Sequence, residues 1–189
     1  MEVLQAIKER RSIRRYRPDP VSDEAISTIL DAARWAPSWS NTQCWRFVVV
    51  RDPELKGKLR GALRYPARDA ENPAASAFSD APVVIAACAE LGKSGYYHGE
   101  PTTDKGDWFM FDVALAMQNL TLAAHDAGLA TVHVGLFDAK EVARLLGVPE
   151  GVAVVVMTPL GYPDEAHGPI PRKDLADIVF QDKYGEKWP

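Results

Sequence analysis

Cysteine is scarce in this chain: Cys44 and Cys88 are the only two among 189 residues. They form no CxxC pair and lie near no histidine spacing of the metal-binding type, which argues against a structural zinc site. Two isolated thiols suit a reducing compartment, and a cytoplasmic location is expected. Long apolar runs are missing too. The most charge-poor stretch, around 108–124, is interrupted by Asp112 and Gln118 and reads as a buried helix, not a membrane span. The first nine residues mix charged and apolar side chains and lack the unbroken apolar core of a signal peptide. A net charge of −4 gives no general attraction to nucleic acid or an acidic membrane, so neither partner is expected. Any anion site must come from a local basic cluster.

Several chemical signatures are absent as well. No GxGxxG follows a strand, and there is no GxxxxGK[ST] loop. Gly92-Lys93-Ser94-Gly95 is not a nucleophile elbow. The four histidines, His98, His125, His133 and His167, are scattered and make no ligand pair. His125 reads as a packing or dipole residue near a helix end. His133, in a strand, reads as a core or interface residue. Without an acid–base or nucleophilic constellation, an enzyme of this sequence must borrow its chemistry from a cofactor.

What is present has the size of one domain, large enough to fold without a disulfide or metal. Val3, Leu4 and Ile7 recur at helical spacing and run into the basic cluster Arg10 to Arg15. Ser22 or Asp23 caps a second helix that ends before Pro37. Phe47 to Val50 reads as a strand, and Asp52-Pro53-Glu54 opens another helix. Residues 66–81 lack periodicity and read as a mobile loop. Val83 to Cys88 is a buried strand, and 92–107 a glycine-rich loop with the character of a lid. The longest helix runs from Asp107 to Asp126, apolar almost all round, with Gly128 after it. A strand at 130–134, a helix between Asp138 and Gly147, and a strand from Val152 to Val156 follow. The irregular alternation reads as one three-layer α+β or α/β domain.

Four patches suit a flavin mononucleotide. Arg10, Arg11, Ser12 and Arg14 put three guanidinium groups and a hydroxyl within five residues, enough to grip a phosphate; a solvated basic turn is the competing reading. The loop Pro37-Ser38-Trp39-Ser40-Asn41-Thr42-Gln43 offers hydroxyl and amide groups to a ribityl chain or a ring edge, or is an ordinary polar connection. Val134-Gly135 ends a strand where backbone N–H groups can face a flavin N5. Gly161 and Pro171-Arg172 complete the set, with Arg172 either another phosphate cation or a surface side chain.

In order, these segments resemble the nitroreductase family. Arg10-Arg11-Ser12-Ile13-Arg14-Arg15-Tyr16 is similar to its R-[RH]-S-x-[RK]-x-[FY] opening, and Ala36 to Trp45 resembles its A-P-S-x-x-N-x-Q-P-W loop, with Cys44 where the family usually has proline. The helix with Gln118-Asn119-Leu120, then Leu160-Gly161-Tyr162-Pro163 and Pro171-Arg172, follow the rest of the pattern. The resemblance implies an α+β fold, a three-layer α/β/α sandwich with a mainly antiparallel central sheet, built as a single domain over 1–189. It implies a homodimer with FMN at the interface, and a tail from about residue 165 that wraps the partner subunit. Arg10, Ser12 and Arg172 would hold the phosphate and ribityl end. Arg14 would lie at the N1–C2=O edge, and Val134 and Gly135 at N5. Pro37, Ser38, Trp39 and Asn41 would reach in from the partner. The implied activity is ping-pong hydride transfer from NADH or NADPH to the flavin, then reduction of a small electrophilic acceptor such as a nitroaromatic or quinone. Reductive dehalogenation, enone reduction, flavin fragmentation and non-catalytic FMN storage are the alternatives on the same scaffold.

Overall fold

The computed structural model describes residues 1–66 and 70–188. Helix starts follow local chemistry. The Ser22 side chain accepts the Ala25 N–H and starts α2 (Asp23–Arg34), after the short α1 (Val3–Glu9). Asp52 does the same for α3 (Pro53–Gly61) by accepting the Leu55 N–H, with Pro53 in the first turn. Strand β1 (Trp45–Val50) precedes α3, and α4 (Ala75–Asp80) precedes β2 (Val83–Glu90). A two-stranded hairpin follows, β3 (Tyr96–Tyr97) with β4 (Glu100–Pro101). Then come α5 (Phe109–Asp126), β5 (Ala130–Thr131), α6 (Ala139–Leu146), β6 (Val152–Gly161) and the short α7 (Leu175–Ile178).

The main sheet has the order β1-β2-β6-β5, and every pairing in it is antiparallel. Strand β2 lies at its centre and is buried on both faces. Its alternate residues Val83, Ile85, Ala87 and Ala89 join a core with Ile29 of α2 and Met117 and Leu120 of α5. Val84, Ala86 and Cys88 point the other way, toward Leu59 of α3, Phe78 of α4 and Val142 of α6. Helices therefore cover both faces, giving the three-layer α+β sandwich expected from the sequence. Each fully buried Leu, Met or Phe in these layers contributes roughly 1.5–3 kcal/mol.

Four local expectations need correction. The strand expected at 130–134 is only Ala130–Thr131, and Val134 is tied to Met157 by an isolated bridge. Residues 66–81 are not one loop: Ala75–Asp80 forms α4, which has no side-chain cap and is held by the burial of Ala75, Ala77 and Phe78. The part of that expectation at 67–69 lies outside the described residues. The 92–107 segment is not all loop, since it contains the β3–β4 hairpin. Strand β6 does not stop at Val156. It passes through Pro159 to Gly161, because β2 on one side and β5 on the other bury it there. Among the described residues, no helix is long and apolar enough to cross a membrane.

Candidate functional site

The basic cluster after α1 is extended chain along the sheet edge. Ser12 forms a parallel bridge with Thr131, and the Ile13 N–H donates to the Thr131 carbonyl at 3.1 Å. Ile13 and Tyr16 turn into the core, where the Tyr16 hydroxyl donates to the Ile13 carbonyl at 2.6 Å. Burial pushes the Tyr16 phenol far above its ordinary pKa. With Ile13 turned inward, extended alternation leaves Ser12 and Arg14 facing outward on the other side, next to Arg10.

They open onto two adjoining cavities of about 220 and 180 Å³. The first is lined by Arg10, Ser12 and Arg14 together with Gln118 and Thr121 of α5; the second by Asn72, Val134 and Gly135. Arg14, Val132 and His133 border both. Among the described residues, the linings hold two arginines and no carboxylate. Burial lowers the Arg10 pKa, and the charges of Arg172 and Arg11 lower it further. A concentration of positive charge with no acid to match it suits an anionic ligand. A Cβ at Gly135 would meet nothing within 4 Å, so the cleft floor there is open to a flat group. Glu165 fixes the cluster from outside the cleft. Its carboxylate accepts the backbone N–H of Arg14 at 2.5 Å and of Arg15 at 3.3 Å, and pairs with His167 at 3.1 Å.

The loop 37–43 lines a different cavity, of about 450 Å³, where Pro37, Ser38 and Trp39 face Trp108 and Phe111. Trp39 and Trp108 rings lie 5.3 Å apart between centroids. Ser40, Asn41 and Gln43 all take positive φ, a region that side chains other than glycine enter at a cost. Side chains hold the loop there: the Ser38 hydroxyl accepts the Gln43 N–H at 2.9 Å, and Gln43 Nε2 donates to Asn41 Oδ1 at 3.2 Å. Below it sits Asp112, 1% exposed, accepting the Trp39 N–H at 3.1 Å and the Ser94 hydroxyl at 2.7 Å. The Cys44 thiol lies 3.8 Å from the same carboxylate; burial and that negative charge push its pKa up to about 11. Cys44 is therefore a core thiol and no nucleophile.

A family model described as the Nitroreductase family matches residues 7–162. The chain belongs to the nitroreductase family. Among its relatives is a Methanothermobacter thermautotrophicus protein whose name couples NADH dehydrogenase with NAD(P)H nitroreductase. The two are 36% identical over 94% of this chain and 84% of the relative. Another, a 5,6-dimethylbenzimidazole synthase of Rhodospirillum rubrum, is 31% identical over 86% of this chain and 82% of its own. A nitroreductase family protein of known crystal structure from Clostridium novyi NT is 29% identical, with a TM-score of 0.76 over 100% of this chain and 98% of the other. The family is one of oxidoreductases.

The structure thus gathers Arg10, Ser12, Arg14, Val134 and Gly135 at one cleft. Pro37, Ser38, Trp39, Asn41 and Gln43 lie on a separate loop. Arg172 stands close enough to Arg10 to repel it, while its own N–H donates to the Ile170 and Pro171 carbonyls. The Arg11 guanidinium is spent on backbone carbonyls of Lys8, Arg10 and Gly168, a brace between α1 and the C-terminal segment. Gly161 is buried in β6, where a Cβ would come within 2.7 Å of Pro82 and 3.2 Å of Tyr16, so close packing accounts for the glycine. Sequence reasoning missed Asn72 and His133 at the cleft and Asp112 beneath the loop. Asp112 carried a signal, a lone acid in the middle of an apolar stretch.

Proposed function

We propose that this nitroreductase family member is an FMN-dependent oxidoreductase that takes hydride from NADH or NADPH and reduces a small electrophilic acceptor. The observation that carries the reading is the cleft where, among the described residues, Arg10 and Arg14 stand without an acid beside the open face of Gly135. Such a donor set fits a molecule with an anionic phosphate at one end and a flat ring at the other. Arg10 and Ser12, with Arg172 near, would hold the phosphate and ribityl end. Arg14 would lie beside the ring edge that gains negative charge on reduction, and Val134 and Gly135 would face N5. FMN, when bound, supplies the ring that carries two electrons between donor and acceptor. The chain's part is to bind it, to place a cation at its electron-rich edge and to leave one face open.

The functional unit in this reading is a homodimer. Large apolar side chains stand exposed on α1 (Val3, Leu4 and Ile7), at the start of α5 (Met110 and Phe111) and on the tail (Leu175, Ile178 and Trp188). That much uncovered apolar surface calls for a partner, and a second copy supplies the loop Pro37–Gln43 that one chain does not bring to its own cleft. The tail from about residue 165 would lie across the partner. The activity is that of a protein free in the cytoplasm, with no nucleic-acid or membrane partner. Relatives 36% and 31% identical carry different names, so one family pattern serves more than one reaction.

The test is reconstitution. The purified apoprotein should take up one FMN per chain with quenched flavin fluorescence, and Arg14→Ala should weaken that binding or lower the flavin potential. Unchanged affinity and potential in Arg14→Ala would remove its assigned role.

A further inference from the structure

His133 stands where the two cavities of the cleft meet. It and Arg14 are the polar side chains common to both linings, so a ligand spanning the cleft passes over them. Its neighbours Val132 and Val134 are buried, and alternation along this segment turns His133 the other way, toward the cleft. The ring does not hang free. His133 Nε2 lies 2.8 Å from the Thr121 hydroxyl of α5, and the Thr131 hydroxyl donates to Thr121 at 3.4 Å. A hydroxyl has one proton to give. The Thr121 oxygen has two lone pairs as well as that proton, so it serves the neutral ring as donor and a protonated ring as acceptor.

The charges around the ring are all of one sign. Arg10 and Arg14 come from the segment after α1, the neutral Gln118 and Thr121 from α5, and Thr131 from β5; among the described residues no acid lines either cavity. Burial and the Arg10 charge hold the imidazole pKa below its ordinary value. A phosphate on Arg10 would offset the part of this lowering that comes from the Arg10 charge.

We propose that His133 is a specificity-determining contact for the phosphorylated ligand, an imidazole that takes up a proton when an anion occupies the cleft. The inference rests on the FMN reading above. Its linkage has a definite sign. The imidazole pKa is low in the empty cleft and higher in the filled one, so added affinity is present below the filled-cleft pKa. It is lost as pH rises through that value. Riboflavin, which has the same ring and side chain without the phosphate, gains no such term.

The experiment titrates apoprotein with FMN and with riboflavin at pH 6 and pH 8, in wild type, His133→Gln and His133→Asn. Affinity is followed by flavin fluorescence, and proton uptake by calorimetry in two buffers of different ionisation heat. The FMN phosphate itself titrates near pH 6, so the signal is the difference between wild type and variant. Wild type should take up more protons per FMN than either variant at pH 6, and its preference for FMN over riboflavin should exceed theirs there by part of the roughly tenfold that one unit of linked pKa gives in full at lower pH. At pH 8 the three proteins should converge. Equal proton uptake and equal preference at pH 6, with FMN still bound, would overturn the role of His133 and leave the FMN assignment standing. Failure of wild type to bind FMN at either pH would overturn both.

Discussion

The backbone N–H of Trp39 meets both carboxylate oxygens of Asp112, at 3.1 and 3.2 Å, across 73 positions of sequence. Among the described residues this buried acid has no cation paired with it; its partners are the Trp39 amide, the Ser94 hydroxyl and the Cys44 thiol. Through the Trp39 amide it anchors the loop that carries the positive-φ residues Ser40, Asn41 and Gln43 to α5. Asp112→Ala should leave those donors unpaired and cost about 3 kcal/mol. Urea unfolding measures this directly, and a change within about 0.5 kcal/mol would mean the loop is held by other contacts.

Gly161 and Gly135 separate packing from binding. In Gly161→Ala the new methyl would come within 2.7 Å of Pro82, and overpacking should lower stability by about 1–3 kcal/mol. In Gly135→Ala the methyl enters open space, so the fold should keep its melting temperature while FMN affinity falls. A destabilised Gly135→Ala protein, or one that binds FMN as before, would contradict the assignment of that floor to the flavin ring.

Glu165 sets an acid limit on the site. Burial alone would raise its pKa, but the donated N–H of Arg14, the His167 ring and the N–H of Arg15 outweigh that and hold it below the ordinary carboxylate value. A depressed acid contributes stability above its unfolded-state pKa, about 4.3, and loses it as pH falls through the folded value. Glu165→Gln should therefore be destabilised at pH 7 and approach wild type near pH 3. A deficit of equal size at both values, measured by urea midpoint, would show that the charge is not what matters.

Much of this was legible from local chemistry. The Asp138 cap and the left-handed Gly147 of α6, at φ 66°, stand where the residue types place them. The unbroken apolar run of β2, buried on both faces, and the apolar α5 gave the layers. Helix α4 was not legible, because it has no cap and exists through Phe78 packing against the sheet. Pro159 hid the length of β6, since proline lacks the N–H that a strand ladder uses. At the site, Arg10, Ser12 and Arg14 were readable as a cluster within five residues. His133 and Asn72 were not, since only the parallel bridge of Ser12 to Thr131 and the fold around it carry them to the same cleft.

The most direct test of the whole reading is anaerobic and spectroscopic. Protein loaded with FMN should lose its visible flavin absorption when NADH or NADPH is added, and regain it on addition of a nitroarene or quinone. A loaded protein that neither nucleotide bleaches would contradict the oxidoreductase assignment and leave a flavin carrier in its place.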